Sequence, residues 1–282
     1  MTLAPRPSPL APLRGVTVAV IGTGTMGQAL IKGLLATGVP RRAIRGADPS
    51  AMMRRAVQRR CGIAMTASNR DAVRDADVVI LAVKPQQLPD ALADLASRLT
   101  RRQLVISIAA GVTLSSLQRA LPGVPLVRVM PNLPATVRRG FSALAAGRHA
   151  TSGHRALAAA LFRAVGETIE LPERSFDAIT AVSGSGPAYV FFLVQAWEQA
   201  ARALGLPPSV AARAVRQTVR GSVELLEASN EEAATLIARV ASKGGTTEAA
   251  LRVLAKRRVA AHIEEALRAA AARSKELRCR LS

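Results

Sequence analysis

Residues 16–21, Val-Thr-Val-Ala-Val-Ile, run straight into Gly22-Thr23-Gly24-Thr25-Met26-Gly27, and residues 28–35 continue with helical spacing. A β-branched run, a Gly-x-Gly-x-x-Gly turn and an apolar helix in immediate succession leave few folds open. They read as the opening strand, turn and helix of a parallel α/β sheet. In such a turn Gly22 permits the tight reversal, Gly24 lets the backbone approach a phosphate, and Gly27 lets the helix pack closely on the strand. The first N–H groups of the helix carry a partial positive charge, so Thr25 and Met26 stand where a dinucleotide pyrophosphate is held. The alternative is a glycine-rich structural turn with no ligand.

The rest of the first half alternates strand-like and helix-like segments. Residues 43–48 form a weaker second strand, with a helix through Met52, Met53 and Val57 behind it, and residues 62–66 a short third. Residues 77–83 and 104–110 are apolar on both faces, as strands buried within a sheet are. Residues 126–130, 141–144 and 167–171 add three more. This order predicts an α/β, Rossmann-type doubly wound domain over residues 15–171. From Pro172 the β-branched runs disappear. Residues 209–229 and 249–277 carry helical spacing, with a stop and restart at Gly205-Leu206-Pro207-Pro208 and a break near Lys256-Arg257-Arg258. Residues 172–282 therefore read as an all-α domain. Its helices are apolar over broad faces, which predicts an oligomer. Residues 1–14, proline-rich and without an apolar core, read as a disordered arm rather than a signal peptide.

The net charge of +20 raises nucleic-acid binding as a function. The arginines fall in scattered ones and twos, and no base-stacking aromatics lie among them, so a solvated surface is the better reading. No apolar run reads as long enough to span a membrane, and a cytoplasmic protein follows as the default. Cys61 and Cys279 give neither a disulfide framework nor metal-ligand spacing, and His149, His154 and His262 form no metal motif.

In a doubly wound sheet ligands sit at the carboxyl ends of the strands. Ala82-Val83-Lys84-Pro85-Gln86, Ala109-Ala110-Gly111 and Met130-Pro131-Asn132 all follow predicted strands. Asp48 ends the second strand. An acid there accepts from an adenosine ribose and favours NAD, whereas Arg45, Arg54 and Arg55 are near enough in sequence to hold the 2′-phosphate of NADP. Asp48 could equally cap the next helix with Ser50. In the helical half, Ser183-Gly184-Ser185-Gly186-Pro187-Ala188-Tyr189 and Ser242-Lys243-Gly244-Gly245-Thr246-Thr247 present hydroxyls and backbone N–H groups at helix starts, which suits a substrate carboxylate. No nucleophile–base arrangement stands out, so the chemistry belongs to a cofactor.

Taken together, these segments resemble pyrroline-5-carboxylate reductase over nearly the whole chain. Besides the motifs above, the resemblance rests on Ile106-Ser107-Ile108-Ala109-Ala110-Gly111-Val112, Val127-Arg128-Val129-Met130-Pro131-Asn132 and Gln217-Thr218-Val219-Arg220-Gly221. It implies a helical dimerisation domain, a homodimer often assembled further into a decamer, and reduction of 1-pyrroline-5-carboxylate to L-proline by NADPH or NADH. It implies that the glycine turn, Asn69, Ala82 to Pro85 and Ala109-Ala110 hold the cofactor. Glu173, Ser185, Gly245, Thr246 and Thr247 would serve the substrate, with Thr247 hydrogen-bonding the ring nitrogen. A reductase of a related cyclic imine, a β-hydroxyacid dehydrogenase and a non-enzymatic cofactor-binding protein are the alternatives. The chain departs from the family's usual pattern at Leu133, Gln195, Asn230 and Lys243. Lys243 replaces a proline, which is expected to loosen the loop before Gly244.

Overall fold

The computed structural model describes residues 13–281. The expected N-terminal arm lies outside them, apart from Leu13 and Arg14; Leu13 is buried in the core rather than free.

The sheet strands and their helices follow in the order β1 (Val18–Ile21), α1 (Thr25–Ala36), β2 (Ile44–Ala47), α2 (Ala51–Cys61), β3 (Ala64–Thr66), α3 (Asn69–Val73), β4 (Val78–Leu81), α4 (Leu88–Leu95), β5 (Leu104–Ser107), α5 (Leu114–Ala120), β6 (Leu126–Met130), β7 (Gly140–Ala146), α6 (Ser152–Arg163) and β8 (Gly166–Glu170). The strands lie side by side as β3-β2-β1-β4-β5-β6-β7-β8. All neighbours are parallel except β6 and β7. The exception has a chain-length cause. Only nine residues, 131–139, separate β6 from β7, too few for the crossover that a parallel return requires.

Side chains alternate across the sheet. Val18 and Val20 enter one core with Leu30, Ile31, Leu34, Val57 and Phe162. Ala19 and Ile21 enter the other with Val73, Leu88, Leu92, Leu117 and Phe176. With so few aromatics, aliphatic side chains and alanines fill both layers. Burial of one such aliphatic side chain is worth about 1.5–3 kcal/mol, so the paired layers are what hold the strand ends in register.

The chain divides into two units: one runs to Gly184 and resumes at Ala270, the other is Ser185–Ala269. The division falls later than Pro172 because α7 (Phe176–Ile179) seats Phe176 in the second core. The end of α12 (Val259–Leu281) also joins the sheet unit, where Ser274 Oγ donates to Asp177 Oδ1 at 2.9 Å and Arg278 pairs with Asp177 Oδ2 at 3.0 Å.

The second unit holds α8 (Gly186–Ala203), α9 (Pro208–Ser229), α10 (Ala233–Val240), α11 (Thr246–Lys256) and the first part of α12. Glu198, largely buried on α8, accepts from Arg216 Nε of α9 at 2.9 Å and staples that pair of helices. Val190, Phe191, Phe192, Leu193 and Trp197 of α8 are exposed in the single chain. The helical stretch Glu173–Ala203 is long and apolar enough, by length and composition, to cross a membrane. It departs from the expectation that no apolar run spans a membrane, because the glycines and serines of residues 183–186 interrupt the apolar pattern in the sequence.

Candidate cofactor and substrate sites

The glycine turn is where backbone geometry, rather than a side chain, sets the site. Gly22 has φ +89°, and a Cβ there would lie 2.8 Å from the Ala82 carbonyl oxygen. A Cβ on Gly27 would lie 2.2 Å from the Gly22 oxygen. Both positions are closed by the chain itself. Gly24 is different: no heavy atom lies within 4 Å of where its Cβ would stand. Gly24 is the N-cap of α1, and no side chain caps that helix. Its first N–H groups therefore face an open cradle that a side chain at Gly24 would fill, and a pyrophosphate fits this arrangement.

Three carboxyl-edge loops are stitched to one another around this turn. Gly22 N–H donates to the Ala47 carbonyl at 2.9 Å, Ala82 N–H to Ile21 at 2.7 Å, and Ile108 N–H to Leu81 at 3.1 Å. The segment from Ala82 to Pro85 thus follows β4 beside the turn, and Ala109-Ala110 follows β5 one strand further on. Asn69 opens α3, past the end of β3, with Ser68 as its cap. The strand order reverses between β1 and β4, which is the crevice where such sheets bind dinucleotides.

Asp48 is part-buried, and its carboxylate is engaged by the chain. Its Oδ2 accepts from the Thr23 N–H at 3.0 Å and from Thr23 Oγ1 at 2.9 Å, and its Oδ1 accepts from the Ser50 N–H at 3.0 Å. The capping alternative is met in Ser50, whose Oγ accepts from Met53 N–H at the start of α2. Arg45 is turned away to the carbonyl of Arg74, ahead of β4. Arg54 spends its Nη1 on the carbonyls of Asp48 and Pro49.

Two further clamps were not read from the sequence. Arg128 of β6 is 3% exposed, pairs with Glu173 Oε1 at 2.8 Å, and lies 4.6 Å from the Phe176 ring centroid. The same oxygen accepts from Leu114 N–H at 2.7 Å, so Glu173 ties the strand to the start of α5. An arginine inside the apolar run Leu126-Val127-Arg128-Val129 was the available signal, since a buried cation needs a partner. Asn132 accepts from Phe141 N–H at 2.8 Å and donates to Ser183 Oγ at 3.1 Å. It thereby holds the π-helical turn Thr180–Gly184, a local irregularity of the kind that gathers at functional sites.

In the helical unit, Ser185 is the N-cap of α8, and its side chain makes no capping bond. Gly245 is the N-cap of α11, with Thr246 and Thr247 as its first two residues. The hydroxyls of both threonines have no hydrogen-bond partner among the described residues. The loop that Lys243 was expected to loosen is held from the helix: Glu248 accepts from the Gly244 N–H and pairs with Arg252. Asn230 ends α9 in the left-handed conformation, φ +53°, which asparagine tolerates better than most residues.

These two units match known proteins over more than nine-tenths of the chain. A pyrroline-5-carboxylate reductase of Pseudomonas aeruginosa is 44% identical over 262 residues, covering 92% of this chain and 96% of its own. The chain belongs to the pyrroline-5-carboxylate reductase family. The family's relative in Synechocystis is 40% identical over 93% of this chain and 98% of its own. The model for pyrroline-5-carboxylate reductase dimerisation matches residues 173–277, and one described as NADP oxidoreductase, coenzyme F420-dependent, matches residues 17–111. The solved reductase from Coxiella burnetii superposes with a TM-score of 0.88 at 36% identity, over 93% of this chain and 98% of that one. The Plasmodium falciparum enzyme, solved with NADP bound, gives 0.84 at 27% over 94% and 98%. A prephenate dehydrogenase and a ketol-acid reductoisomerase, at 18% and 15% identity, share the fold alone. The dimerisation match begins at Glu173, the residue that Arg128 holds, so this family's dimerisation region starts inside the sheet unit.

Proposed function

We infer that this chain reduces 1-pyrroline-5-carboxylate to L-proline with NADH or NADPH. The observation that carries the reading is 44% identity to a reductase of that substrate across both halves of the chain. When bound, the reduced nicotinamide supplies a hydride to the carbon of the substrate's C=N bond, and the nitrogen takes a proton. Gly22, Gly24, Thr25, Met26 and Gly27 would hold the pyrophosphate at the start of α1. Asn69, Ala82 to Pro85 and Ala109-Ala110 would hold the rest of the cofactor along the same edge. On the sheet unit Glu173 keeps only its Oε2 for a ligand, because Oε1 is taken. On the helical unit Ser185, Gly245 and Thr246 bind the substrate carboxylate, and Thr247 hydrogen-bonds the ring nitrogen. Since positive charge on that nitrogen makes the adjacent carbon a better acceptor, this bond strengthens toward the transition state.

Addition of 1-pyrroline-5-carboxylate to purified protein with NADPH should bleach the cofactor's near-ultraviolet absorbance and yield proline. No turnover with either cofactor would overturn the reading. Thr247→Ala should lower kcat by about ten- to a hundredfold, as expected for one lost transition-state hydrogen bond; unchanged kcat would remove Thr247 from the mechanism.

The dimerisation match supports an oligomer, and the exposed face of α8 is its natural seat. On this reading the apolar stretch Glu173–Ala203 meets another subunit rather than lipid, the enzyme works as a cytoplasmic homodimer or decamer, and it needs no nucleic acid. Phe191, 59% exposed, tests this. Phe191→Glu should shift the solution mass measured by light scattering to that of a single chain. A single-chain mass for the unmodified protein would sink the dimer.

A further inference from the structure

Asp48 stands at the end of β2, where an acid in a dinucleotide fold ordinarily accepts from the ribose. Here its part-buried carboxylate accepts three hydrogen bonds from the chain. Two come from Thr23, through the N–H at 3.0 Å and Oγ1 at 2.9 Å, and one comes from the Ser50 N–H at 3.0 Å. Thr23 is fully buried and is the first residue between the glycines. It is also gripped at its carbonyl by Gln28 Nε2 at 2.8 Å, and Gly22 before it is bonded to Ala47. On the other side, Arg54 Nη1 holds the carbonyls of Asp48 and Pro49, both at 2.8 Å. Rotating the carboxylate toward a ribose would break charge-assisted bonds to a buried residue, where they are strongest.

We propose that Asp48 is a positioning residue that holds the glycine turn in its phosphate-binding form through Thr23, and that it does not choose between NADH and NADPH. The inference rests on the reductase reading for its ligand, but it concerns only how the turn is held. The two roles leave different signatures. An acid that reads the ribose accepts from the 2′-hydroxyl of NADH and repels the 2′-phosphate of NADPH, so its loss changes the ratio of the two affinities. A clamp acts on backbone that meets the pyrophosphate common to both, so its loss weakens both alike.

The test is direct binding of NADH and of NADPH, followed by calorimetry, to the unmodified protein, Asp48→Asn, Thr23→Val and the double variant. Each single variant should weaken both cofactors by about tenfold, with their ratio held within about threefold. The double variant should be little weaker than the worse single one, because both remove the same contact. Thr23→Ser keeps the hydroxyl and should bind nearly as the unmodified protein does, which separates loss of the bond from loss of the fold. A tenfold change in the NADH to NADPH ratio in Asp48→Asn, or losses that multiply in the double variant, would overturn the inference while leaving the reductase reading intact. Failure of the unmodified protein to bind either dinucleotide would overturn both.

Discussion

Glu173→Ala is expected to cost the sheet unit about 3–5 kcal/mol, the usual penalty for stranding one member of a buried ion pair. The two partners are not equivalent. The Arg128 side chain is 3% exposed and that of Glu173 is 30% exposed. Losing the carboxylate leaves a guanidinium in the core, against the Phe176 ring, with no counter-charge among the described residues. Losing the arginine, as in Arg128→Met, leaves a carboxylate that water can reach and that still holds the Leu114 N–H, so the cost should be smaller. The double variant should recover much of the loss, since a well-packed apolar pair is often no worse than the ion pair it replaces. Urea unfolding followed by circular dichroism orders the three variants. Equal losses for Glu173→Ala and Arg128→Met would show that burial does not set the asymmetry.

The second large effect separates two glycines of one motif. Gly24→Val points its side chain into open space, so the fold should hold, while the cradle above α1 is filled. Dinucleotide affinity should fall by about a hundredfold or more, the loss of the close backbone approach that the middle glycine provides. Gly27→Ala places a methyl 2.2 Å from the Gly22 oxygen. It should instead cost about 3 kcal/mol of stability through overpacking that the backbone cannot relieve. Thermal melting and cofactor titration on the two proteins read the contrast. A Gly24→Val protein that binds NADPH normally would place the pyrophosphate elsewhere.

Much of this was legible in the sequence. Strands such as 126–130 and 104–107 stand out because they are apolar and β-branched between polar turns, and the glycine turn marks the first crossover. The break near Lys256 is a physical stop, with Arg258 in the left-handed conformation. The carboxyl-edge loops could be assembled because the parallel register fixes which strand ends share an edge. What was not legible depends on partners distant in sequence. Thr23 looks like a spacer until Asp48, 25 residues on, is seen to hold it. Arg128 and Glu173 are 45 residues apart, and neither names the other. Leu13 reads as part of a proline-rich arm because its core neighbours come from elsewhere in the chain. Hydrophobic period changes at Pro172, whereas packing changes only after Phe176 has been buried, so the two boundaries differ.

The late division has a consequence for anyone wishing to excise the nucleotide-binding half. A truncation after Leu171 follows the strands faithfully, yet it removes the carboxylate that neutralises Arg128, the aromatic plug beneath it and the acid that receives Ser274 and Arg278. Such a fragment would carry every strand of the sheet and still be unfinished, because its closing pieces are encoded in the segment that reads as dimerisation sequence.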